Sequence, residues 1–287
     1  MSRGRDDDRD LTPEREPEPV IHARVEEVPA RGLTLPRGDV REPVEGRDRD
    51  YFLNGADVRA LATVGAFRVV PTEDLETGGA GPALWRHLAD EGLVTLETIV
   101  DRDGAQHVAA LTREGKDLLD THSMPRAGGH EQEYYAGIVK PRELRHDAQL
   151  YRVFQAEAAR IEREGGRVTR VILDYELKRD YQIFLNRKHR PDDTDLRHDR
   201  QAFAKSHELP IVRGHLELPD LRIEYETESG RLEHRDVELV TEHYSRGQLS
   251  GKSQAGFARY RGSASGGRGG NTRRGGTPHD PKHLERL

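Results

Sequence analysis

Three side chains late in the sequence are of the types that phosphodiester chemistry uses: Asp220, Glu238 and Lys252. Two carboxylates held close together can bind Mg²⁺, which polarises a phosphoryl group or acidifies a water molecule. A neighbouring lysine can orient or deprotonate that water. Asp220 follows Pro219 at the head of one strand candidate, Leu221 to Glu226, and Glu238 lies in the next, Leu232 to Val240, with a turn at Ser229-Gly230 between them. Pairing these strands as a hairpin sets Asp220 beside Glu238. Glu176 ends an earlier strand candidate, Arg167 to Tyr175, and is a third acid within range of such a site. The candidate catalytic set is therefore Asp220, Glu238 and Lys252. The candidate metal set is Asp220, Glu238 and Glu176, with Mg²⁺ as cofactor. The plainer roles are a strand-edge turn residue for Asp220 and a satisfied, half-buried acid for Glu238.

A second group is suited to holding duplex DNA: Trp85, Arg86 and His87 on a short helix, and Arg102 at a hairpin tip. An arginine can contact a guanine edge or a phosphate, and a hairpin can lie along the neighbouring backbone. For Trp85 packing is the competing role. The surrounding stretch supplies the elements. Val58, Leu61, Ala62, Val64 and Phe67 recur at helical spacing, and Thr72 caps a short second helix after Pro71. A tight turn at Gly78–Gly81 leads to Pro82 at a first helical position, and the third helix stops at Gly92. Val94 to Val100 and Gln106 to Leu111 form a hairpin around Asp101–Gly104, and Thr112 caps a last helix carrying Leu118 and Leu119. This order resembles the winged helix-turn-helix superfamily, whose third helix reads the major groove. Winged helices also serve as protein-interaction modules, and this one carries many acids.

The chain of 287 residues is long enough for two modest domains. Charged residues make up 34% and hydrophobic residues 33%, which predicts that part of the chain is unfolded. The net charge of −6 excludes a globally basic nucleic-acid binder, so any such role rests on local patches. There is no cysteine, which excludes disulfides, zinc-thiolate sites and cysteine nucleophiles. No apolar run reaches the length of a membrane span, and the N-terminus has no apolar signal core, so a soluble cytoplasmic protein with no membrane partner is expected.

Residues 1–50 hold 10 Arg against 14 Asp and Glu, and read as a disordered charged arm. The winged helix-turn-helix is expected over 51–120, a linker over 121–141 and a mixed αβ domain over 142–260. Leu144, Leu150, Val153, Phe154, Ala158 and Ile161 mark a long amphipathic helix, stopped at Gly165-Gly166. A polar insertion over 186–208 carries one helix near Asp199–Ser206, Leu209 to Glu217 is a further strand candidate, and Gln248 to Tyr260 reads as a closing helix. Residues 261–287 form a Gly/Arg-rich tail of net charge +4, expected to be disordered; such a tail can cling to phosphates or simply solubilise. Two patterns carry no chemistry. Gly247-x-x-x-Gly251-Lys252-Ser253 is one residue short of a phosphate-binding loop, and His189, His198, His207 and His215 lack metal-ligand spacing.

Helix, strand, strands and helix, with acids on adjacent strands, resembles the PD-(D/E)xK nuclease-like fold. Over 51–260 the chain resembles the replication-relaxation family of plasmids and integrative elements. The carrying words are LRHDAQLYRVF (144–154), DYELKRD (174–180), Pro219-Asp220, and VELVTEHYSRGQLSGKSQAGFARY (237–260), with Glu238, Thr241, Glu242, Lys252 and Tyr260 at the family's acid, Thr-Glu, lysine and tyrosine positions. The resemblance implies an α+β protein that binds double-stranded DNA in plasmid or mobile-element replication or transfer, with a relaxase or replication protein as partner. One position departs. The nuclease pattern wants acid-x-lysine, and here Val240 follows Glu238-Leu239. Valine can neither orient nor deprotonate water, so a nuclease-shaped domain without cleavage is expected. A Mg²⁺-dependent nicking endonuclease relying on Lys252, and a winged-helix transcription regulator, are the alternatives.

Overall fold

The computed structural model describes residues 27–76, 81–101, 104–124, 131–138, 144–188, 193–240, 252 and 254–261. Among these the chain is mixed α+β, with seven helices and four small sheets. The first two strands, β1 (Glu42–Glu45) and β2 (Asp50–Leu53), pair antiparallel. The first helix, α1 (Gly55–Phe67), begins at a capping box. Asn54 Oδ1 accepts from the Asp57 N–H (2.9 Å), and Asp57 Oδ2 accepts from the Asn54 N–H (3.0 Å). Asp57 is fully buried and also takes the Arg41 guanidinium at 2.8 Å. The helix ends at Arg68, whose φ of 66° is left-handed backbone, uncommon outside glycine and asparagine.

Next come β3 (Val70–Pro71), α2 (Thr72–Glu76), α3 (Pro82–Asp90), β4 (Val94–Asp101), β5 (Gly104–Leu111) and α4 (Arg113–Thr121). The three strands form one antiparallel sheet in the order β3-β5-β4. Thr112 caps α4 through its hydroxyl, which accepts from the Gly115 N–H at 3.0 Å. Gly115 lies so close to Leu93 that a Cβ there would run into the Leu93 carbonyl oxygen.

The second half is built on α5 (Leu144–Arg163), about 30 Å long at the standard rise per residue. It ends at Gly165, where φ is +80°. Then follow β6 (Arg167–Leu173), α6 (Asp174–Lys188), α7 (Asp193–Ser206), β7 (Ile211–Val212), β8 (His215–Leu216), β9 (Leu221–Glu226), β10 (Leu232–Val240) and β11 (Ala258–Arg261). The main sheet runs β11-β10-β9-β6. Its first three strands in sequence are antiparallel neighbours, and β11 joins parallel to β10. Alternation along β6 assigns its two faces: Val171 and Leu173 pack with Leu150, Val153 and Phe154 of α5, and Ile172 packs with Leu177, Phe203 and Leu209 beneath α6 and α7.

Residues 27–50, expected to be part of an unfolded arm, are ordered. Val28, Leu33, Leu35 and Val44 are buried in the main core, and β1 lies in this stretch. A few apolar side chains suffice where a neighbouring core receives them, although the segment's average composition is that of a solvated chain. The expected linker is likewise part of the packing. Tyr134 is buried and its hydroxyl donates to the Pro29 carbonyl (2.5 Å), while the Gln132 amide both donates to and accepts from the Val171 backbone. One core therefore runs through both halves, with Phe67 of α1 against Tyr151 and Phe154 of α5 at centroid distances of 5.1 and 4.9 Å. Buried Arg68 reinforces this junction, reaching Asp147 at 3.3 Å and stacking over Tyr175. Arg152 does the same on α2, reaching Asp74 at 2.6 Å. The expected closing helix over 248–260 ends as strand β11, whose Tyr260 hydroxyl donates to buried Glu157 at 2.7 Å. The turn at 78–81 lies mostly outside the described residues, as do Thr241, Glu242, the first 26 residues and the tail. No helix among the described residues is long and apolar enough to cross a membrane.

Candidate functional site

The β9–β10 register pairs Leu221 with Val237, and one further step sets Asp220 opposite Glu238. The Leu239 N–H donates to Asp220 Oδ2 at 2.8 Å, so the aspartate is tied to the neighbouring strand's backbone. Glu238 is fully buried. Lys252 comes from outside the sheet and places Nζ 3.1 Å from Glu238 Oε2, while donating to the Leu218 carbonyl at 2.5 Å and lying 3.8 Å from Glu217. The three residues read from the sequence as a catalytic set are thus neighbours, and Lys252 approaches the acid that Val240 leaves without an in-strand lysine.

Two further side chains complete the cluster. His146, in the first turn of α5, sets Nε2 3.5 Å from Asp220 Oδ2 and Nδ1 3.5 Å from Asp147 Oδ1. Burial alone would lower its pKa, but hydrogen bonds and charge from Asp147 and Asp220 outweigh that and push it up to about 10. The imidazole is therefore a cation at neutral pH. Asp174, the first residue of α6, accepts from Lys178, and its backbone N–H donates to the Asp220 carbonyl (3.2 Å). Burial raises its pKa, with the Asp220 charge adding to the rise and Lys178 opposing it. Both residues stood in the words His146-Asp147 and DYELKRD. His146 stood at a helix start beside Asp147, whose place there the helix dipole explains, whereas Asp174 lay inside the strand candidate Arg167 to Tyr175.

Glu176 does not belong with this cluster. The strand ends at Leu173 rather than Tyr175, so Glu176 is in the first turn of α6. There it pairs with buried Arg170 instead of Asp220 or Glu238. As arranged, the remaining acids do not fit Mg²⁺ either. That ion needs a near-octahedral set of oxygens and keeps several waters. Glu238 has no exposed surface and already carries an ammonium, and Asp220 is held by a backbone amide with an imidazolium beside it. A charge-balanced cluster can brace strands and align side chains without a metal.

On α3, Leu84 and Leu88 face the core and carry Trp85 with them, leaving it 3% exposed. Trp85 is therefore a packing residue and not a base-stacking one. His87 also turns inward: its Nε2 is 2.8 Å from the Phe52 carbonyl and 3.9 Å from Asp57. Arg86 alone of the three faces out, beside exposed Pro82, Ala83 and Asp90. Arg102 lies outside the described residues; strand β4 exposes Leu96 and Val100. No family model, no curated protein and no solved structure matches this chain.

Proposed function

We propose that the chain is a DNA-binding protein of a bacterial plasmid or mobile element, acting in replication or transfer as a member of the replication-relaxation type. On this reading residues 55–121 are a winged helix that docks α3 in the major groove, and the half built on α5 is a PD-(D/E)xK-like scaffold that holds DNA or a relaxase without cutting. The observation that carries it is the run α1-β3-α2-α3-β4-β5-α4 with sheet order β3-β5-β4, which leaves Arg86 on the outer face of α3. Lack of cleavage is supported by Lys252 and His146, which stand where a metal's charge would be needed.

The test is selection from a pool of random duplexes with full-length protein, followed by a salt titration and incubation with Mg²⁺ or Mn²⁺. A selected motif whose affinity falls steeply with salt supports the reading. Arg86→Ala should weaken that binding and reduce the logarithmic salt slope by about one if the guanidinium meets a phosphate. Failure to select any motif would remove DNA recognition. A second reading, a Mg²⁺-dependent nicking enzyme, is favoured by the meeting of Asp220, Glu238 and Lys252. It requires Lys252 to yield its place on Glu238, and it predicts nicks in the selected pool that Asp220→Ala abolishes while binding persists.

A further inference from the structure

A cavity of about 600 Å³ opens between α4, the segment 131–136, β6 and α6, away from Asp220 and Glu238. That volume is within the range of small-molecule sites. Five carboxylates and three cations line it, and each cation is already matched inside it: Lys116 with Asp120, Arg179 with Glu133 and Asp180, Arg170 with Glu176. The lining therefore carries surplus negative charge. At its buried side the Arg170–Glu176 pair is made through one oxygen only. Glu176 is 5% exposed, and among the described residues its Oε2, like the Nε of Arg170, has no hydrogen-bond partner. A buried carboxylate oxygen left in that state is costly unless something donates to it.

We propose that this cavity binds a small organic cation, a primary amine or guanidine, whose charged head donates to Glu176. The electrostatics agree. Burial pushes Glu176 up to about 7 although Arg170 pulls the other way, so the position readily takes up one positive charge as a proton. The groups acting on Glu176 are Arg170 from β6, Glu133 and Tyr135 from the 131–138 segment, and Arg179 and Asp180 from α6; Glu224 of β9 reaches Arg170 at 4.0 Å. Neighbouring Glu133 and Asp180 add to the upward push. A bound cation replaces the proton and meets the ionised acid. This inference is independent of DNA binding.

Agmatine, which carries both an amine and a guanidine, is the probe, titrated calorimetrically into the full-length protein at pH 8 and pH 6. It stays fully charged at both. The expected result is saturable one-site binding that weakens by about tenfold at pH 6, where Glu176 is mostly protonated. Glu176→Gln should cost at least about tenfold at pH 8 and remove the pH dependence. Binding only to exposed acids of ordinary pKa would not change between these pH values, so equal affinities would overturn the proposal, as would the absence of saturable binding. If Glu176→Gln does not fold, Ser123→Trp narrows the cavity without touching the ion pair; unchanged affinity in that variant would also overturn it.

Discussion

Two buried glutamates in the second half of the chain have opposite surroundings. Glu238 sits on a central strand with no exposed surface and meets the ammonium of Lys252, next to an aspartate that has its own backbone donor and imidazolium. Glu176 sits on a helix start, meets a guanidinium through one oxygen, and keeps the other without a hydrogen-bond partner among the described residues. Burial is nearly the same, and the difference lies in how completely each charge is answered. A fully answered cluster fastens β9 to β10 and α5 to both. An incompletely answered one leaves capacity for a ligand.

The largest expected effect tests the first half of that contrast. Lys252→Met should lower stability in urea unfolding by about 3–5 kcal/mol, because it takes the ammonium away from a carboxylate with no exposed surface. The double variant Lys252→Met/Glu238→Gln should recover most of the loss. A loss below about 1 kcal/mol would mean that Glu238 does not depend on the ammonium.

A smaller effect, dependent on pH, tests the second half. The folded pKa of Glu176 stands at about 7, above its ordinary 4.5. Its contribution to stability is therefore fully present below pH 4.5 and is lost as the pH rises through 7. Glu176→Gln removes that loss, so its stability relative to the parent should improve by about 3 kcal/mol between pH 4.5 and pH 8. A difference that is flat with pH would show that Arg170 answers Glu176 completely and would erase the contrast. The smallest effect sharpens the comparison with a third acid. Buried Glu157 takes both the Tyr260 hydroxyl (2.7 Å) and Arg235 (3.0 Å). Tyr260→Phe should cost about 1–2 kcal/mol of unfolding free energy, since Arg235 still neutralises the charge.

Much of the architecture was legible where spacing and caps agree. The apolar periods of α1 and α5, Thr112 before α4, and the Ser229-Gly230 turn each specify one local structure, and the strand pattern around that turn is enough to set Asp220 against Glu238. Other features depend on what lies across the chain. Val28, Leu33, Leu35 and Val44 vanish into the charged average of residues 1–50, yet each finds the core. Trp85 and His87 stand beside Arg86 on the candidate reading helix, but Leu84 and Leu88 fix which side of α3 turns in. Ala258 to Arg261 has no strong strand pattern and becomes a strand because β10 offers an edge and Glu157 awaits Tyr260. Glu176 was misplaced by a strand end two residues early, enough to send its carboxylate elsewhere. His146 gained its role from Asp220, 74 positions away in sequence and 3.5 Å away in space.

The shared core around Phe67, Tyr151 and Phe154 has a consequence for inheritance. A recombination joint placed anywhere between 124 and 144 would separate α5 from the α1 side chains it packs on, and would split Arg68 from Asp147 and Arg152 from Asp74. Each fragment would carry a bare apolar face and unmatched buried charge. Either half keeps its core only when joined to a partner that restores these contacts.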